Sequence, residues 1–290
     1  MSRVRSWLGD RVRSRLDALL DPRLELAAAT SPATKSNLRQ LFLTYREAIE
    51  EERPLPSVRD VGFRVFSELD EDGIILFLLA VAGIDRARFV DIGAGDCLTA
   101  SNCANLALNL GFHGLFVDAN ADAIEGAAAF YARHPDTRAH PPKVRHSFIT
   151  CENVNEVIRD AALDGEIDVI SIDIDGNDYW IWEAISSVQA RIVVIETHVE
   201  YGLEDVCAPY RADFDWRRHS RRDQVFGASP AAMRRLGQKL GYRLVGGNRL
   251  GFNAFFLRDD LGADLLPAVG VEELLRHDRN RELGSSSGSP

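Results

Sequence analysis

"RFVDIGAGDCL", residues 88–98, holds the question on which both fold and function turn. An apolar strand-like run leads into Asp91, then Gly93 and Gly95 separated by one residue, then Asp96. Glycines directly after a strand let backbone approach a ligand closely. In open parallel sheets the turn after the first strand lies at the ligand-binding crevice. Such turns most often hold phosphate, an anion. A carboxylate on either side of the glycines opposes that use, because like charges in a cleft repel.

Outward from this stretch, strand-like and helix-like segments alternate. Apolar runs at 88–93, 114–120, 144–149, 168–174 and 191–197 read as strands, and helical patterns fall near 98–110, 121–133, 152–163 and 178–188. Short apolar strands separated by helices predict right-handed βαβ units and a mostly parallel sheet covered on both faces. A helix over about 230–240 and two strands, 242–247 and 252–258, follow a long polar stretch. The turn-rich "NRLG" between those strands predicts a hairpin, so one of them runs antiparallel to the rest. "GIILFLLAVAGI", 73–84, is about 12 residues long, too short to span a bilayer, which takes about 20, and reads as a buried helix.

The chain has 290 residues, 46% hydrophobic and 27% charged, the composition of an ordinary globular protein. Its net charge of -10 argues against non-specific nucleic-acid binding. An Asn/Asp-Pro-Pro-aromatic base-flipping motif is absent from the sequence. The first 23 residues are the exception in charge, with six arginines against three aspartates. Val4, Leu8, Val12, Leu16 and Leu19 recur there at helical spacing. A basic amphipathic helix of this kind suits either docking on its own domain or peripheral contact with a membrane or partner. A second amphipathic helix, 37–49, ends before Pro54 and Pro56. Four cysteines without paired spacing, and no apolar run behind the basic start, predict reduced thiols and a cytoplasmic protein.

A cationic ligand removes the conflict at the glycine turn. A dinucleotide site wants a third glycine, where this chain has Leu98. S-adenosylmethionine carries a sulfonium and an ammonium, and both favour nearby carboxylates. The second strand ends in Asp118, about 23 residues after Gly95, where an acid can take both ribose hydroxyls. The cofactor set expected is Asp91, Gly93, Gly95, Asp96, Asp118 with adjacent Ala119, Thr150 after the third strand, and Asp173 after the fourth.

With these features over roughly residues 60–260, the sequence resembles the class I S-adenosylmethionine-dependent methyltransferases. Through "SIDIDGNDYWIWEAI" at the fourth strand it is most similar to their FkbM-like branch. The resemblance implies a Rossmann-like seven-stranded, mostly parallel sheet with helices on both faces and the last strand antiparallel. It also implies methyl transfer, often to oxygen. The family commonly has Glu where Asp178 stands, and the amino-terminal 60 residues lie outside the likeness. The expected organisation is a helical extension over 1–60, the methyltransferase domain over 61–262, and a helix and flexible tail over 263–290.

A sulfonium is already a good leaving group, so the protein must align the acceptor and, for a hydroxyl, remove its proton. "DIDGND" offers Asp173, Asp175 and Asp178, and "IETHVEY" offers Glu196, His198 and Glu200. His198 is the expected general base, since imidazole titrates near neutrality, with Asp175 and Glu196 beside it. Two readings of the acids stand together. Asp173, Asp175 and Glu196 hold a hard cation such as Mg²⁺, or Asp173 meets the methionine end of the cofactor while Asp178 caps a helix. Trp216, Arg217, Arg218, His219, Arg221 and Arg222 lie in the long polar stretch and suit an anionic acceptor. The acceptor expected is a small molecule such as a sugar, glycoside or natural product, and a helical addition is compatible with a homo-oligomer. Two other functions fit the same layered fold, a nicotinamide oxidoreductase and a non-catalytic protein that binds through its basic helix.

Overall fold

The computed structural model describes residues 22–214 and 226–277. The basic helix expected over 1–20, the arginine-rich residues 216–222 and the tail beyond 277 lie outside the described residues. Helix α1 covers Pro22–Ala29 and α2 covers Pro32–Glu50. Ser31 caps α2 through Thr34 N, and Pro32 occupies the first turn, where a missing N–H does no harm. Tyr45 of α2 packs edge-on against Phe77, ring centroids 5.1 Å apart, and Arg46 donates to the Ala80 carbonyl.

Helix α3, Glu71–Ala82, is buried on every side, as the apolar run from Ile74 to Ala82 requires. The alternation then begins: β1 Arg88–Ile92, α4 Ala104–Asn109, β2 His113–Asp118, α5 Ala121–Arg133, β3 Lys143–His146 and α6 Val154–Asp160. It continues with β4 Gly165–Ile172, α7 Asp178–Ala184, β5 Val188–Glu196, α8 Pro230–Leu240, β6 Tyr242–Gly247 and β7 Asn253–Arg258. The sheet order is β3-β2-β1-β4-β5-β7-β6. β7 pairs antiparallel with both β5 and β6, and the other pairs are parallel. This is the expected seven-stranded Rossmann-like sheet with the last strand reversed.

Strand side chains alternate between the two helical layers. Phe89, Phe116, Val169, Ile192, Val194 and Phe255 face α3, α4 and α5. Val90, Leu115, Ile170, Val193 and Phe256 face α6, α7 and α8. Strand order reverses at β1, whose neighbours are β2 and β4, so a crevice opens past the carboxyl ends of β1 and β4.

The helix expected over 98–110 begins only at Ala104. Residues before it are committed to turns: Cys97 and Ala100 have φ near +60°, which a helix cannot accommodate. Residues 263–277 hold a short 3-10 turn, Val271–Glu273. No helix among the described residues is long and apolar enough to cross a membrane.

The amino end of β1 is tied to β4 by one buried carboxylate. Asp168 accepts from the backbone N–H groups of Asp85 (2.7 Å), Arg86 (3.1 Å) and Arg88 (3.0 Å). Replacing Asp168 by Ala strands those donors and is expected to lower unfolding free energy by about 3 kcal/mol. Asp168→Asn, which keeps an acceptor, loses less; urea denaturation of the two variants measures the difference.

Candidate active site at the carboxyl edge of the sheet

The glycine turn is built inward. Gly93 N and Ala94 N both donate to the Val117 carbonyl, at 2.9 and 3.0 Å, and Cys97 N donates to Ala94 O. Gly95 N donates to Asp118 Oδ2 at 2.8 Å, while Leu98 N and Thr99 N donate to Asp96 Oδ1. Gly93 has φ +86°, and a Cβ there would overlap the Asp173 carbonyl, so β1 and β4 meet only because the residue is bare. Tyr131 of α5 closes the turn from below, its hydroxyl donating to Cys97 O.

Each expected cofactor residue has a definite place. Asp91 is 3% exposed and accepts from Ser101 Oγ at 2.9 Å; that same oxygen caps the start of α4 by accepting from Cys103 N and Ala104 N. Asp91 therefore stands behind the turn and braces it. Burial pushes its carboxyl up to about 6, against hydrogen bonds from Ser101 and Ser171 that pull it down. Asp118 is half-buried at the end of β2, with Oδ1 accepting from Asn120 N. Ala119 is exposed and its carbonyl meets His146 Nε2 at 3.0 Å. Exposed Asp96 spends one oxygen on its own turn. Thr150 follows β3, its N–H donating to Asn153 Oδ1.

The fourth and fifth strands bring the acids together. Asp173, Asp175 and Glu196 each place a carboxylate oxygen within 4.8 Å of the others. Burial, then the charges of Asp178, Asp175, Asp91 and Glu68, push Asp173 well above the usual carboxylate range. Burial and the charges of Asp173, Asp178 and Asp175 do the same to Glu196, whose Oε2 is buried without a hydrogen-bond partner among the described residues. Asp178 differs: its oxygens accept from Ile174 N and Gly176 N at 2.8 Å each. It closes the loop before α7 rather than capping the helix by its side chain, a reversal of the expected direction. The loop needs this anchor because Asp175 and Gly176 both take positive φ.

His198 is 8% exposed, directly past β5. Its Nδ1 lies 2.9 Å from Glu200 Oε1, and Nε2 is buried without a partner among the described residues. Phe226 packs edge-on against the ring at 4.6 Å.

Several supporting residues were not legible as such. Asp72 Oδ2 accepts from Val65 N, Phe66 N, Ser67 N and Ser67 Oγ. Glu71 Oε1 accepts from Asn248 and Asn253. The acid-rich "SELDEDG" was the available signal, but nothing in it tells that the acids turn inward. Cys151, no better placed for nucleophilic work, donates to Trp180 O, and burial raises its thiol.

No protein-family model matches the chain. No curated protein matches it. Similar solved structures include magnesium protoporphyrin IX methyltransferase (ChlM) from Synechocystis PCC 6803 with bound SAM: 13% identity, 65% of this chain and 77% of that one, TM-score 0.40. A SAM-dependent methyltransferase from Aquifex aeolicus matches at 12% identity over 65% of this chain and 88% of that one, TM-score 0.36. The bifunctional kinase-methyltransferase WbdD matches in its monomeric form at 16% identity and TM-score 0.36, over 77% of this chain but only 41% of its own. Likeness at this level assigns neither a family nor an activity.

Asp91 yields a prediction whose sign is fixed. Its folded value, about 6, lies above the ordinary 3.8, so the fold disfavours its charged form. Below about pH 4 both states are protonated and nothing is lost; stability falls as pH rises from there to 6, and the full penalty holds above. Asp91→Asn is expected to be more stable than wild type at pH 7.5 by on the order of 3 kcal/mol. The difference should vanish near pH 3.5, and denaturant unfolding at the two pH values checks this.

Proposed function

We propose that the protein is an S-adenosylmethionine-dependent methyltransferase that methylates a hydroxyl of a small molecule. The observation that carries this reading is the direction of the turn's amides. A phosphate-binding turn aims its N–H groups at the ligand. Here the N–H groups of Gly93, Ala94, Gly95, Cys97, Leu98 and Thr99 are already bonded to protein oxygens. What the crevice offers instead is carboxylate, from Asp118, Asp173, Asp175 and Glu196, which suits a sulfonium and an ammonium.

In this reading Asp118 holds the ribose, Ala119 and Thr150 border the adenine, and Asp173 meets the methionine end. The bare Gly93 and Gly95 admit the cofactor, with Asp91 and Asp96 shaping the turn. The resemblance to the FkbM-like branch supports oxygen as the acceptor atom and a sugar, glycoside or natural product as the class. His198 takes the acceptor's proton as the methyl passes from sulfur to oxygen, with Glu196 and Asp175 beside the acceptor.

The oxygens of Asp173, Asp175 and Glu196 are close enough together to hold a hard cation such as Mg²⁺, and Glu196 Oε2 has no hydrogen-bond partner among the described residues. Such an ion would lower the proton affinity of a bound acceptor hydroxyl. Mn²⁺ added to the protein alone is expected to give one saturable site by paramagnetic resonance, weakened tenfold or more, roughly, in Asp175→Asn and Glu196→Gln. Wild-type affinity in both variants would remove the metal from the mechanism.

Calorimetric titration separates the functional classes. S-adenosylhomocysteine is expected to bind, and NAD is not. Asp118→Ala should weaken the former by about 2 kcal/mol through loss of a charge-assisted bond. Binding of NAD alone would favour an oxidoreductase; binding of neither would favour a non-catalytic role.

A further inference from the structure

The imidazole of His198 is held on three sides. The backbone N–H of His198 donates to Ala228 O at 2.9 Å, placing the residue beside the strand-like bridge between Cys207 and Ala228. The Phe226 ring meets it at 4.6 Å and the Tyr201 ring at 6.1 Å. Tyr201 in turn fixes Phe226, its hydroxyl donating to Phe226 O at 3.0 Å and accepting from Phe226 N at 3.1 Å. Gly227, at φ +67°, lies against the Cδ2–Nε2 edge, where any Cβ would overlap the ring. The histidine also lies near enough to Asp178 to act on that carboxylate.

Against that packing the two ring nitrogens differ sharply. Nδ1 faces Glu200 Oε1 at 2.9 Å, and Nε2 has no protein partner among the described residues. A carboxylate can only accept, so the bond requires a proton on Nδ1. In the neutral ring Nε2 then carries the lone pair. Burial alone would raise Glu200, yet its bond to His198 holds it below the usual carboxylate range, so it stays ionised.

From this geometry we infer that Glu200 is a positioning residue, which fixes the Nδ1–H tautomer of His198 and leaves Nε2 as the proton acceptor. The inference rests on the methyltransferase reading for what Nε2 receives. As the acceptor oxygen forms its bond to the methyl carbon and the sulfur–carbon bond breaks, the hydroxyl proton passes to Nε2. S-adenosylhomocysteine is the leaving group, and the imidazolium formed is balanced by the Glu200 carboxylate, which itself gains no proton. Among the described residues no donor reaches this buried nitrogen, so its lone pair is unused by the fold.

The test is nitrogen-15 NMR of the histidine ring in the full chain, at a pH where the ring is neutral. Wild type is expected to show the Nδ1–H form. Glu200→Gln keeps an accepting oxygen and should retain that form, while Glu200→Ala should turn the ring largely to Nε2–H. S-adenosylhomocysteine affinity should stay within about twofold in both variants, since the bond lies outside the cofactor set. An Nε2–H ring in wild type, or an unchanged tautomer in Glu200→Ala, overturns the inference. Failure of wild type to bind S-adenosylhomocysteine would instead strike the functional reading and leave the tautomer result standing.

Discussion

Carboxylates crowd one edge of the sheet, and the surrounding structure is arranged to tolerate them. Asp91, Asp118, Asp173 and Glu196 sit at the ends of four neighbouring strands, β1, β2, β4 and β5, and burial opposes the charge of Asp91, Asp173 and Glu196. Three acids of this edge accept local hydrogen bonds: Asp118 from the backbone amides of Gly95 and Asn120, Asp178 from those of Ile174 and Gly176, and Asp91 from Ser101. The charges of Asp178 and Asp175 raise both Asp173 and Glu196, and that of Asp173 raises Glu196 further. A cation entering the crevice reverses that effect on both at once, which is a physical reason for a fold to keep them.

Maintaining such an edge takes bracing from distant parts of the chain. Residues 61–72 cross it as a clasp. Ser67 bridges to Ala100 beside the glycine turn, and Asp72 gathers three successive amides behind it. Glu71 reaches the other side, accepting from Asn248 and Asn253 in the β6–β7 hairpin. Asn253 in turn pairs with Glu196 across β5 and β7. The reversed strand thus links the acidic pocket to the start of α3. This explains why buried acids open an otherwise wholly apolar helix.

What was legible from the residues alone follows from locality. The strands were, because period-two burial and apolar runs are short-range signals. So were the hairpin, through its turn residues, and the meeting of Asp173, Asp175 and Glu196, because both segments end adjacent parallel strands. The start of α4 was not, since "GDCLTASNC" has ordinary helical composition. The Asp96 turn and the positive φ of Cys97 and Ala100 delay it. The backward reach of Asp178 and the inward position of Asp91 were equally hidden, since each depends on a backbone path rather than on residue type. The four cysteines are free in the structure, as their spacing implied.

Strand order by itself does not choose between a sulfonium cofactor and a dinucleotide, since both use the crevice beside the first strand. The choice is made by which way the first turn points its amides. In this chain the Val117 carbonyl accepts from two of them, and the Asp118 side chain takes a third, so β2 consumes the donors a pyrophosphate would need. In the proposed function Asp118 is itself the acid that takes the ribose hydroxyls. Moving it to receive a phosphate would free Gly95 N yet bring a carboxylate against an anion. On that proposal the residue that anchors the turn also sets the sign of the ligand.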